Sequence, residues 1–219
     1  VTQPPAAARR VEVAVDRLSG WLDRFADRHG PIDASLEGSA VLVRAADDQR
    51  ALLTPPFAAR AEAPPAEAAT RPVSWLQTDV RRPRRVAALL IRRGGHAAGV
   101  YDGAELIASK VGRSYVQGTT KAGGWSQHRY ARRRDNQTKS AVADAIEESA
   151  RTIAPYLSSL EGAVLGGDRA LIRLALADRR LAGLAQLPAE PFLDVGEPRL
   201  ATLQGLPEQF LVVRIALWP

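Results

Sequence analysis

Between Val11 and Val15 apolar residues alternate with Glu12 and Ala14, a period of two that predicts a short strand. The period then lengthens. Leu18, Trp21, Leu22 and Phe25 recur three and four residues apart, which predicts a helix capped at Asp16 and running to about His29, where Gly30-Pro31 stops it. Ser35–Ala45 and Arg50–Phe57 return to a strand pattern, turned at Asp47-Asp48-Gln49. Residues 1–57 therefore read as a small N-terminal β-α-β-β unit behind a loose terminus at 1–8. Residues 58–74 hold Ala, Pro and Glu without an apolar period, the composition of a linker or of a surface loop in a continuous fold.

Residues 75–219 carry a second pattern. Arg84–Arg92, Ala97–Tyr101 and Glu105–Tyr115 predict three strands joined at Gly94-Gly95 and Asp102-Gly103, both hairpin turn signals. A polar stretch from Val116 to Arg134 follows. Asp135 or Asn136 then caps a helix to about Leu157, with Val142, Ile146, Ile153 and Leu157 on its apolar face and Pro155 kinking or ending it. Ala163-Val-Leu165 reads as a short buried strand, Gly166-Gly167-Asp168 as its turn, Arg169 to Ala182 as a helix and Gln209–Trp218 as a last strand. The order β-β-β-loop-α-β-α-β gives an α/β fold with a mixed (α+β) sheet, similar to a ribonuclease-H-like sheet with helices against it.

The chain has 219 residues, net charge +6 and 46% hydrophobic residues, enough for one large domain or two small ones. The positive balance favours anionic partners. Cysteine is absent, which excludes disulfides and thiolate metal sites. No apolar run approaches the ~20 residues that span a bilayer, and no secretory segment is evident, so a cytoplasmic protein with no membrane partner is expected.

Charge is most concentrated in Lys121-Ala-Gly-Gly-Trp-Ser-Gln127-His-Arg-Tyr-Ala-Arg132-Arg-Arg134. From Leu106 to Arg134 there is no Asp or Glu, while Lys110, Arg113, Lys121, Arg129, Arg132, Arg133 and Arg134 are all cationic. Gly123-Gly124 alone can be a turn in a solvated loop. The unopposed cations need more: like charges at this density repel unless an anion neutralises them, and RNA phosphates do so. Gln127 cannot serve as a general acid or base, but its amide donates and accepts hydrogen bonds together. Such a group positions water at an ester carbonyl, or it is a plain exposed glutamine.

Gly-Gly-Trp-Ser-Gln in a basic loop between a β-meander and a long helix resembles the central domain of eukaryotic and archaeal class-1 release factors. Val164-Leu-Gly-Gly-Asp-Arg-Ala-Leu-Ile-Arg173 and Ala177-Asp-Arg-Arg-Leu181 are similar to the strand, turn and helix of that domain. Within that set the chain resembles the Vms-like release factor (VLRF) family, as an actinobacterial-type member, over about residues 75–218. Its Gly-x-x-Gln motif is Gly124-Trp125-Ser126-Gln127, and Trp125 and Ser126 depart from a strict Gly-Gly-Gln.

The resemblance implies a peptidyl-tRNA hydrolase acting at the large ribosomal subunit, with rRNA and peptidyl-tRNA as partners, no DNA and no cofactor. It makes Gln127 the catalytic residue, Gly123, Gly124, Trp125 and Ser126 the loop backbone, and Lys121, His128, Arg129, Arg132, Arg133 and Arg134 the RNA contacts. No stop-codon-reading domain and none of the zinc-finger or ankyrin segments of eukaryotic relatives is evident, so codon-independent release is expected.

Alternatives stay open for several residues. Trp125 stacks on the CCA end or packs the loop onto the body. His128 is an RNA contact or a general base. Arg132–Arg134 are phosphate contacts or a solvated run; at a helix entrance, cations oppose the positive helix N-terminus. Arg81-Arg82-Pro83-Arg84-Arg85 touches RNA or marks an exposed strand entry. Two other functions use the same substrate surface: cleavage of tRNA near CCA, and noncatalytic binding to rRNA. Asp79, Asp102, Glu105 and Asp135 form no persuasive carboxylate set, His29, His96 and His128 are scattered, and no metal is expected. Glu147 and Glu148 read as surface partners of Arg151 one turn on.

Overall fold

The computed structural model describes residues 9–58, 64–113, 140, 142–189 and 192–218. The chain divides into two compact units: Val1–Pro83 with Pro207–Pro219, and Arg84–Leu206.

The first unit is an antiparallel sheet of β1 (Arg9–Ala14), β2 (Ile32–Glu37), β3 (Ala40–Ala45), β4 (Arg50–Thr54) and the last strand of the chain, β9 (Val212–Trp218), in the order β1-β9-β4-β3-β2. Two helices, α1 (Leu18–His29) and α2 (Pro72–Asp79), belong to the same unit. Pairing Val13 with Val213 and Leu53 with Ile215 brings their side chains into one cluster. Leu18, Leu22 and Phe25 of α1 close over that cluster with Leu76 of α2 and Val80 just after it. The helical spacing read from the sequence is thus the buried stripe.

Four details differ from the sequence reading. The expected strand Ser35–Ala45 is a hairpin, β2 and β3, because Gly38 takes φ +64° and reverses the chain. Asp16 does not cap α1. Val15 N–H still bonds Leu211 O at 3.1 Å, so the strand geometry persists, Val15–Arg17 form a 3-10 turn, and the helix starts at Leu18. The last strand pairs with β1 and β4, not with strands of the second half. The junction between the units falls at Pro83–Arg84 and not within 58–74, whose last residues, 72–74, are already the first turn of α2.

The second unit holds β5 (Arg85–Arg92), β6 (Gly95–Asp102), β7 (Glu105–Arg113) and β8 (Gly162–Gly167), in the order β7-β6-β5-β8. The first three form an antiparallel meander, and β8 lies parallel to β5. The mixed α/β class expected from the sequence is the one observed. Central β5 is buried from Val86 to Ile91, as an unbroken apolar run requires of a strand covered on both faces. On one face Ala87, Leu89, Ile91, Ala98 and Val100 meet Ala145, Ala150 and Ile153 of α3 (142–153) and Leu171, Ile172 and Ala175 of α4 (Arg169–Leu176). On β6, Tyr101 is fully buried, and its hydroxyl donates to Leu203 O of α5 (Leu200–Gly205) at 2.8 Å.

Local signals set the ends of these helices. A 3-10 turn, Ala154–Ser159, replaces α-helix at Pro155, which lacks the N–H an interior helical position needs. Asp168 caps α4 by accepting from Ala170 N at 2.8 Å and Leu171 N at 3.3 Å. The expected helix to Ala182 stops at Leu176, where Asp178 and Arg180 form a turn of their own.

Candidate functional site

The residues singled out for chemistry lie outside the described residues: Gln127; Gly123, Gly124, Trp125 and Ser126; Lys121, His128, Arg129, Arg132, Arg133 and Arg134. Asp135 and Asn136, the expected caps of the following helix, lie outside them too. What is described is the frame on either side of residues 114–139: β7, which ends at Arg113, and α3.

One polar cluster joins β6, β7 and α3. His96 faces Gly112 across the β6–β7 ladder. A Cβ built on Gly112 would lie 2.1 Å from His96 Cε1, 2.8 Å from Nε2 and 2.9 Å from Glu148 Oε2. The missing side chain is therefore the opening through which His96 reaches α3. His96 Nε2 stands 3.0 Å from Glu148 Oε2, and Lys110 Nζ 3.4 Å from Glu148 Oε1. One carboxylate thus ties together a residue from each of three elements.

The electrostatics define the ring's state. His96 is only 3% exposed. Burial pulls its pKa below the ordinary 6.5, with the Glu148 carboxylate opposing that shift. Neutral His96 donates Nε2–H to Glu148, and its buried Nδ1 has no hydrogen-bond partner among the described residues. A ring so enclosed offers no face to substrate. The cluster is a clamp that fixes α3 against the edge of the sheet.

A second cluster sits one residue earlier on α3. Glu147 accepts from Arg151 Nε at 3.0 Å, the expected one-turn pair, and also from Arg180. Arg180 is held by Asp178 as well, at 2.9 Å, and that guanidinium lowers the Asp178 pKa to about 2. Glu148 is the correction: it turns inward to His96, because the helical rotation of one residue points it at the β6–β7 opening. His96, Lys110, Gly112 and Glu148 were not legible as a group from their spacing in the chain. The available signal was a histidine just after a hairpin turn facing a glycine on the return strand.

The other candidates are dispersed. Among the described residues no three His, Asp or Glu are placed to hold a metal ion. Asp102 pairs with Arg85 at 2.8 Å, and His29 with Asp47 at 2.8 Å. The basic run divides: Arg81 is exposed and donates to Ser19 Oγ at 3.1 Å, Arg84 is buried, and Arg85 is taken by Asp102. Arg81, Arg82 and Pro83 are exposed ahead of β5, so the first part of the run is an exposed strand entry and the last two arginines are not. Among the described residues no helix is long and apolar enough to cross a membrane.

A mixed sheet carrying a basic Gly-x-x-Gln segment between its meander and α3 has the plan of a release-factor-type domain. The family of Actinobacteria/chloroflexi VLRF1 release factors matches residues 84–216, more than half of the chain. The chain belongs to that family, as the Gly124–Gln127 motif and its flanks led us to expect. No curated protein matches it. Among solved structures it is similar to an archaeal translation termination factor, aRF1, at 18% identity and TM-score 0.42, over 87% of this chain and 51% of that one. An archaeal protein matches at 16% identity and TM-score 0.40, over 89% and 55%. Pelota from Archaeoglobus fulgidus matches at 12% identity and TM-score 0.32, over 94% and 65%. The chain spans about half the length of the first two.

Proposed function

We propose that this protein is a cytoplasmic, ribosome-associated and codon-independent peptidyl-tRNA hydrolase that frees stalled nascent chains at the large subunit. The observation that carries the reading is that the family match, residues 84–216, includes the whole basic segment Lys121–Arg134 with its Gly-x-x-Gln motif. In this reading Gly123 and Gly124 let the segment bend, and Trp125 and Ser126 complete its backbone. Lys121, His128, Arg129, Arg132, Arg133 and Arg134 contact rRNA and tRNA phosphates. The Gln127 amide orients a water molecule at the ester. The water oxygen bonds to the carbonyl carbon, the bond to the ribose oxygen breaks, one water proton passes to that oxygen and the other leaves to solvent. The products are a free peptide carboxylate and an intact tRNA end. Rate comes from positioning, where a displacement of about 1 Å can cost about 100-fold. The His96–Glu148–Lys110 clamp supports this chemistry by holding α3 and β7.

The test is peptide release from peptidyl-tRNA on purified large subunits. Wild-type protein should release peptide. Gln127→Ala should lower release at least about 100-fold while still sedimenting with subunits. Equal release by both proteins would refute the role of Gln127. Sequencing the tRNA 3′ end decides the chemistry: an intact CCA end fits ester hydrolysis, and a shortened one assigns a nuclease instead. Salt-sensitive subunit binding without turnover would leave only an rRNA-binding module.

A further inference from the structure

In the first unit, α1 and the outer ends of β1 and β9 enclose a cleft of about 460 Å³, within the range of pockets that take small ligands. Arg9, Arg24 and Arg28 stand around it, all exposed. None of the three forms an ion pair among the described residues. Between them, Trp21 stacks on Phe25 with ring centroids 5.2 Å apart and planes 15° apart. Phe25 is buried and Trp21 half-buried, so Trp21 is the outer ring.

The sequence places these groups together. Trp21, Arg24, Phe25 and Arg28 recur at three and four residues, one face of a helix; Asp23 and Asp27 are exposed beside it and form no ion pair with Arg24 or Arg28. Arg9 is the first residue of β1 and lies opposite Leu217 of β9, which lines the same cleft. The neighbouring carboxylate, Asp47, is engaged: it accepts from His29 at 2.8 Å and from Gln49 N at 3.1 Å. Among the described residues the cleft therefore presents three cations without an ion-pair partner, together with an aromatic ring.

Three like charges held together favour an anion with spaced negative groups. The ring favours a flat partner that stacks. An acidic peptide meets the first demand and leaves the ring unused. A bilayer surface is met by protruding apolar side chains, and this ring is recessed. A nucleotide chain meets both demands, because phosphates recur beside bases that each offer a π-face. We propose that this cleft binds single-stranded RNA, with a base on Trp21 and phosphates on Arg9, Arg24 and Arg28. The site contains none of residues 121–134 and does not depend on the hydrolase reading. It gives the N-terminal unit a task of its own, holding an unpaired stretch of RNA.

Anisotropy of a labelled short oligouridylate with the full chain tests this. Arg24→Gln/Arg28→Gln should weaken binding about tenfold near 0.15 M salt and flatten the slope of log K against log salt by about 1.4, the contribution of two phosphate contacts on a single strand. The same loss should appear when Arg132, Arg133 and Arg134 are all glutamine, which removes the other basic run. Unchanged affinity in that background would overturn the proposal. So would stronger binding of oligodeoxyuridylate, or displacement of the RNA by polyglutamate or phosphatidylserine vesicles at lower concentration. With 4-thiouridine in the oligomer, photoadducts on the peptide containing Trp21 support the site, and adducts confined to residues 121–134 reject it.

Discussion

Gly112→Ala should destabilise the second unit sharply, for a reason visible only across strands. The new methyl would lie 2.1 Å from His96 Cε1 and 2.9 Å from Glu148 Oε2, well inside any real contact. The imidazole must leave, and with it goes the 3.0 Å bond to Glu148. Overpacking of a close-packed site costs about 1–3 kcal/mol. Losing a hydrogen bond to a charged group from a buried ring costs about 1.5–3 kcal/mol. The two overlap, because the ring that relieves the clash is the ring that loses the bond, so a net cost of about 3 kcal/mol is expected. For a unit of this size that corresponds to a fall in melting temperature of about 12 °C. Thermal unfolding followed by far-UV circular dichroism, with exchange of the β6 and β7 amides to locate the loss, measures it. The decisive arm is a double-mutant cycle. His96→Ala removes the bond and leaves a hole, but it also removes what the new methyl strikes. Gly112→Ala/His96→Ala should therefore be more stable than the sum of the single losses by about 2 kcal/mol. Additive losses would refute the threading of His96 past Gly112.

Two further outcomes follow from particular contacts. Asp168→Ala removes the acceptor for Ala170 N and Leu171 N at the start of α4 and should cost about 1 kcal/mol, read as a lower urea midpoint at unchanged slope; Asp168→Asn should recover most of it. Burial holds His96 neutral in the folded state below its ordinary pKa of 6.5, against Glu148 and Asp144, which favour the charged form, and with Lys110, which opposes it. The unfolded chain binds the extra proton first, so this contribution is present above pH 6.5 and is lost as pH falls towards the folded pKa. Urea midpoints between pH 7 and about pH 5 should fall more steeply for wild type than for His96→Gln, and equal slopes would contradict the buried neutral ring.

Patterns whose cause is local were legible in the chain. The stripe Leu18, Leu22, Phe25 buries as its spacing demands, because one face of a helix must leave water. Gly94-Gly95 and Asp102-Gly103 mark the two hairpins of the meander, and Gly166-Gly167-Asp168 marks the turn from β8 into α4, where Gly167 takes φ +97° and Asp168 caps. The basic segment with Gly124-Trp125-Ser126-Gln127 is a property of sequence alone, and it led to the family that residues 84–216 match.

Tertiary structure decided everything that depends on which strands become neighbours. Periodicity names a strand but not its partner, so β9 read as the end of the second half and in fact lies between β1 and β4. Register across β6 and β7 set Gly112 opposite His96, and helix rotation aimed Glu148 at the gap, giving a clamp from residues 52 positions apart. Arg9 joined Trp21, Arg24 and Arg28 for the same reason: β1 pairs with β9 beside α1. A charge or a glycine carries its chemistry in the sequence, whereas burial, opposition and clefts arise only when distant segments share space.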